Sequence, residues 1–198
     1  ILIFSIILFS PIIYIIFNFI ETIYSQNYFL KKYFLDAFKN SFILSFFTAT
    51  MVTFIGLIIS ILLVNSRNNI FLQQILFLIS SIILVISPII ISLGYFIILG
   101  ELRYISLITY SVIIIINCVF LIPFSILILF TKLKNIFLNF DDIKKTFRIS
   151  EKNFIKIIYP LIQKNLIYIF SFAAAISFGD FTIISFFQNE SFQTLPSI

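Results

Sequence analysis

Five apolar runs, at residues 1–20, 41–64, 72–99, 104–131 and 161–187, constrain the choice of solvent for this chain more than any other feature. Each is close to or above the ~20 residues an α-helix needs to cross a bilayer core. Hydrophobic residues make up 61% of the sequence and charged residues 11%, against about 45–50% and about 25% in ordinary globular chains. With a mean hydropathy of +1.18, no soluble core could hide so much apolar surface. The expectation is an all-α polytopic membrane protein with at least five transmembrane helices. A membrane barrel is excluded, because none of the runs alternates apolar and polar residues. Run 1–20 lacks the basic start and small-residue cleavage site of a secretory leader, and is read as a span.

The same composition removes whole classes of chemistry. With no histidine, the chain has no imidazole base, Ser-His-Asp triad or histidine metal site. A single cysteine, Cys118, allows no intrachain disulfide and no thiolate cluster. Only 4 glycines are present and no phosphate-binding loop occurs, so ATP would have to bind another subunit. Neither a catalytic residue, a metal nor a cofactor is expected. The 28 Phe and 9 Tyr read as lipid-facing bulk rather than as aromatic cages.

Basic residues set the orientation. Arg67, Lys132, Lys134, Lys144, Lys145, Arg148, Lys152, Lys156 and Lys164 fall on one side and Lys31, Lys32, Lys39 and Arg103 on the other, nine against four. The positive-inside rule places the larger set in the cytoplasm. Segments 21–40, 100–103 and 188–196 are then external. Charges dispersed over two faces do not form a nucleic-acid surface. An odd number of spans, no initiator Met and an external C-terminal stub lead to the expectation that the chain belongs to a longer one, with at least one more helix after Ile198.

Residues 132–160 exceed what a helix connection needs and carry an amphipathic pattern. Asp141 and Asp142 precede Ile143, Phe147 and the basic Lys144, Lys145 and Arg148, an order that suits the helix dipole. Ser150 is placed to cap a second short helix, in which Phe154, Ile157, Ile158 and Leu161 share one face. Pro160 then marks the approach to the next span. From periodicity alone, this elbow is either a docking element or a basic loop lying on anionic headgroups.

Asp141-Asp142-Ile143 followed by Phe154, Ile157 and Pro160 resembles the cytoplasmic signature loop of binding-protein-dependent ABC transporter permeases, an E-A-A pattern, a Gly, then F-x-x-I-x-L-P. Asp142 and Ile143 stand at the two Ala positions, Phe147 at the Gly position and Tyr159 at the Leu position, so the turn is expected nearer Ser150. Asp36 through Ser41, Ser66-Arg67, Val85-Ile86-Ser87-Pro88 with Leu93-Gly94-Tyr95-Phe96, and Ile122-Pro123-Phe124 resemble successive helix boundaries of the same family. Ser177-Phe178-Gly179-Asp180-Phe181 and Phe192-Gln193-Thr194-Leu195-Pro196 are similar to motifs in the second half of the thiamine-transporter permease, with Thr182 at the position of a second Gly.

The resemblance covers roughly residues 36–198. It implies a MetI-like ABC importer transmembrane domain there, preceded by a separate first helix and external segment at 1–35. It also implies a coupling helix at 132–160, an ABC ATPase dimer, an external substrate-binding protein, a second permease half and residence in a bacterial inner membrane. Thiamine is the implied solute. Ferric iron, another small solute and a non-transporting scaffold are the alternatives.

Four polar or small residues in the apolar runs are candidate pathway elements: Asn117, Ser177, Gly179 and Asp180. A carboxylate at mid-bilayer costs about 2.5–3.5 kcal/mol on insertion scales, so Asp180 is expected to meet a polar path or a partner. The alternative places it at the external interface, hydrated or bonded to a neighbouring helix. Gly179 is read as permitting close backbone approach. Asn117 fits an interhelical hydrogen bond better than a ligand. Pro88 and Pro123 are read as kinking or ending helices, and Gly56 and Gly94 as packing contacts.

Overall fold

The computed structural model describes residues 28–65, 85–146, 151–189 and 192–197 and single positions between 14 and 78, with backbone alone at 28–31, 103–104, 139–146 and 151–157. The described residues are helical apart from turns and one isolated bridge, Asn189 to Phe192. Helix α1 spans Tyr28–Asn65, α2 Pro88–Leu99, α3 Ser106–Thr146, α4 Glu151–Phe178 and α5 Ile184–Phe187. A 3-10 turn at Gly100–Tyr104 joins α2 to α3.

Among the described residues three helices are long and apolar enough to cross a membrane: Lys32–Asn65 within α1, Ser106–Leu138 within α3 and Ile158–Phe178 within α4. They correspond to three of the five expected spans. Run 72–99 is represented among the described residues by the shorter α2, and run 1–20 lies outside them except for Tyr14 and Phe17. At 1.5 Å per residue, α1 and α3 are about 57 Å and about 60 Å long, well beyond the hydrocarbon thickness.

Helices α1, α3 and α4 pack on one another through faces set by helical periodicity. On α3, Ile113, Ile116, Leu121, Leu129, Leu133 and Ile136 are buried, at the spacings that return to one side of a helix. Leu121, Leu129, Leu133 and Ile136 meet Ala49, Val52 and Val64 of α1 and Ile158, Ile162, Ile169 and Ala173 of α4 in one core. A second core, at the other end of the bundle, gathers Leu44, Ile113, Ile116, Ile183, Ile184, Phe187 and Phe192. Outward positions are equally apolar. Phe38, Phe42 and Phe46 form a stacked ladder up exposed α1, with ring centroids 6.5 and 6.4 Å apart, as expected where lipid is the solvent.

Gly56 explains how closely α1 and α3 approach. A Cβ there would lie 1.9 Å from Ser125 Oγ, whereas one at Gly94 would meet nothing within 4 Å. Of the two glycines read as packing contacts, Gly56 is one and Gly94 is not.

Several boundaries differ from the sequence expectation, each for a physical reason. Pro88 opens α2 at its first turn, directly after extended Ser87, where the missing N–H of proline has no cost. Pro123 and Pro160 lie inside α3 and α4. Each removes one main-chain bond, at about 3 kcal/mol in an isolated helix, but their φ is helical and packing carries the helix through. Pro160 therefore does not separate a short helix from the span. Run 161–187 is not one helix either: α4 stops at Phe178, and the chain turns through 179–183 before α5.

Candidate functional site

Three buried polar residues converge inside the bundle, one from each of three helices. Asn117 of α3 donates its Nδ2 to Ser177 Oγ of α4 at 3.3 Å, and the Ser177 hydroxyl donates to Thr48 Oγ1 of α1 at 3.3 Å. All three are buried. The neighbouring Cys118 lies with its Sγ 3.8 Å from the Thr48 carbonyl. Each residue sits on the inward face of an otherwise apolar helix, so its polar atoms have no solvent to turn to and find one another instead.

Asp180 lies just past the end of α4, and its local chemistry accounts for that end. Its Oδ1 accepts the main-chain N–H groups of Thr182 at 2.9 Å and Ile183 at 3.3 Å. This Asx turn offers the backbone an alternative to continuing the helix. Oδ2 is buried and has no hydrogen-bond partner among the described residues. Burial raises the Asp180 carboxyl above its ordinary value, and the Ile183 and Thr182 N–H groups and the adjacent Asn117 amide act in the opposite direction. Asp180 and Asn117 are thus neighbours, so the polar line runs Asp180, Asn117, Ser177, Thr48. Gly179 is exposed, and an added Cβ would be 3.7 Å from the Ala175 carbonyl, an ordinary contact. Close backbone approach is not what the structure uses it for.

At the same end, two separate sequence motifs clasp each other. Asn40 donates its Nδ2 to the Gln193 carbonyl at 2.8 Å and accepts the Tyr110 hydroxyl on its Oδ1. Ser41 Oγ accepts the Leu195 N–H at 2.9 Å. Phe192 stands edge-on to the Tyr110 ring with centroids 5.0 Å apart, and Thr194 is fully buried. A 3-10 turn at Leu195–Ser197, in which Ser197 Oγ accepts the Thr194 N–H at 2.8 Å, closes the segment.

The elbow residues are distributed differently. Asp141 and Asp142 lie on the last turns of α3, and Phe154 and Ile157 on the first turns of α4, all on described backbone. Phe147 and Ser150 lie outside the described residues. Pro160 is exposed on α4. The short helices expected on either side of the turn are instead the continuous ends of α3 and α4, and no glycine is available in this stretch to break either one.

An open groove of about 690 Å³ between α1 and α4 is lined by Phe47, Met51, Phe54, Leu57, Leu166 and Phe170, with Thr50 and Thr53 as its polar residues. Both hydroxyls are turned onto carbonyls of their own helix. Such a lining accommodates acyl chains rather than a hydrophilic solute.

Asn40 belongs to the Asp36–Ser41 motif, whereas nothing in the sequence marks Thr48 or Tyr110. A threonine in a span can bond to its own backbone, so nothing in its position alone marks Thr48 as a partner of Ser177. The chain matches no protein-family model and no curated protein.

Proposed function

We propose that this chain is the membrane permease subunit, or one half of a fused permease, of a binding-protein-dependent ABC importer in a bacterial inner membrane, with thiamine as its solute. The observation that supports this reading is the α3–α4 elbow. Helix α3 runs on past its apolar stretch through Asp141, Asp142, Lys144 and Lys145 to Thr146, and α4 begins at Glu151 and carries Lys152 and Lys156 before its own apolar stretch. Four residues, 147–150, join the two. A lipid-resting loop needs no such stiffness, whereas a docking element that must transmit force does.

In this reading two ATPase subunits dock on elbows formed by Asp141, Asp142, Phe147, Ser150, Phe154 and Ile157 of two permease halves. ATP-driven closure displaces the elbows, and the uninterrupted helices α3 and α4 carry the displacement into the bundle as rigid levers. An external binding protein delivers the solute. Ser177 through Phe181 carry the preference for thiamine over ferric iron. The closed hydrogen bonding of Thr48, Asn117 and Ser177 favours a second reading, a scaffold subunit whose inner polar groups hold helices together and move nothing.

The deciding experiment is ATP-dependent uptake of labelled thiamine by vesicles holding the complete gene product, its ATPase and its binding protein, with an ATPase-dead control. Uptake lost in the control supports both transport and solute. Co-purification without thiamine uptake keeps the permease and rejects the solute, and absence of ATPase binding favours the scaffold.

A further inference from the structure

Lys164, Tyr168, Ser171 and Ala175 follow one another along α4 at intervals of four, three and four residues, which places them on one face of a helix. All four are exposed, and Tyr168 stacks along the helix on Phe172, with centroids 6.3 Å apart. Of the three spanning helices α4 is the least covered, with 22% of its span buried against 39% for α1 and 56% for α3.

Exposure alone suits lipid as well as water, but hydrogen bonding separates the two. Hydrocarbon accepts no hydrogen bond, so a hydroxyl that faces it turns back onto its own helix. Exposed Ser111 does so to the Leu107 carbonyl at 2.9 Å, and exposed Thr131 to the Leu127 carbonyl at 2.8 Å. Half-buried Thr50 and Thr53 behave the same way, to Phe46 and Ala49. Ser171 makes no such bond, and neither it nor Lys164 has a hydrogen-bond or ion-pair partner among the described residues. Lys164, near the cytoplasmic end of α4, reaches water there, and the unsatisfied Ser171 hydroxyl about two turns further along the same face extends that water into the membrane.

We propose that the Lys164–Tyr168–Ser171–Ala175 face of α4 borders water within the membrane and forms part of the wall of a path for a hydrophilic solute. The inference rests on the permease reading only for what that water carries.

The test is thiol accessibility in the full chain, in membrane vesicles, on a Cys118→Ser background. Single substitutions Tyr168→Cys, Ser171→Cys and Ala175→Cys are compared with Phe54→Cys and Ile115→Cys at exposed apolar positions of α1 and α3. A charged, membrane-impermeant methanethiosulfonate is applied from both sides. Modification at least tenfold faster on the α4 face than at the two controls is the expected result. Rates equal to the controls place the face against lipid and overturn the proposal. Slow modification with disulfide cross-links between copies makes it a dry helix contact and overturns it equally. Ser171→Cys and Ala175→Cys alter little bulk, so they decide the matter if Tyr168→Cys fails to insert. No ATPase takes part, so failure here is distinguishable from failure of the uptake experiment.

Discussion

Asn40 on α1 donates its side-chain amide to the main-chain carbonyl of Gln193 at 2.8 Å, across 153 residues of chain. Its other end receives the Tyr110 hydroxyl from α3, so one side chain ties the C-terminal segment to two helices. Asn40→Ala leaves a carbonyl and a phenol unsatisfied in a half-buried site. The expected cost is about 1–3 kcal/mol, concentrated in this segment. Limited proteolysis in mild detergent checks it: residues 188–197 of the variant are cut faster while the rest of the bundle keeps its resistance, and equal rates refute the clasp.

Gly56 and Gly94 separate packing from mere occurrence. Gly56→Ala drives a Cβ into Ser125, and the overpacking is expected to cost about 1–3 kcal/mol. Gly94→Ala meets open space in the interior of α2 and is expected to be neutral or stabilising by up to about 1 kcal/mol. Thermal unfolding in detergent compares the two, and restoration of Gly56→Ala by Ser125→Gly identifies the contact responsible.

Ser177 stands between two partners, so Ser177→Ala strands both Asn117 and Thr48. Membrane-interior bonds of this kind average about 0.6 kcal/mol and reach about 1.7, and their length here, 3.3 Å each, sets the expectation near the lower figure. A double-mutant cycle of Ser177→Ala with Asn117→Leu reads the coupling. Strict additivity removes the pair from the account of stability.

Asp180 gives stability a pH dependence with a definite sign. Burial raises its carboxyl above the ordinary 3.8, so in the window above that value the folded chain binds more protons than the unfolded one. Stability is therefore full below about 4 and is lost as pH rises through the raised folded value. Asp180→Asn keeps an oxygen for the Thr182 and Ile183 N–H groups but cannot titrate, and is expected to flatten the profile. Unfolding midpoints between pH 4 and 7 test this, and unchanged uptake by the same variant removes Asp180 from the transport mechanism.

The membrane character of this chain was legible from run length and composition, because a helix that must satisfy its own backbone in lipid needs only apolar side chains over a sufficient length. Asn117, Ser177 and Asp180 stood out for the same reason, as polar groups in the wrong solvent. How they pair did not: Asn117 and Ser177 bond to each other, Thr48 joins Ser177 from 129 residues away, and elsewhere Asn40 meets Gln193 from still further, because those contacts depend on how α1, α3 and α4 are rotated against one another. Helix ends were also settled only in three dimensions. Pro160 reads as a break and lies within α4 because the packed faces on either side of it outweigh one missing hydrogen bond, whereas α4 ends at Phe178 because the Asp180 carboxylate captures the N–H groups that the next turn would have used.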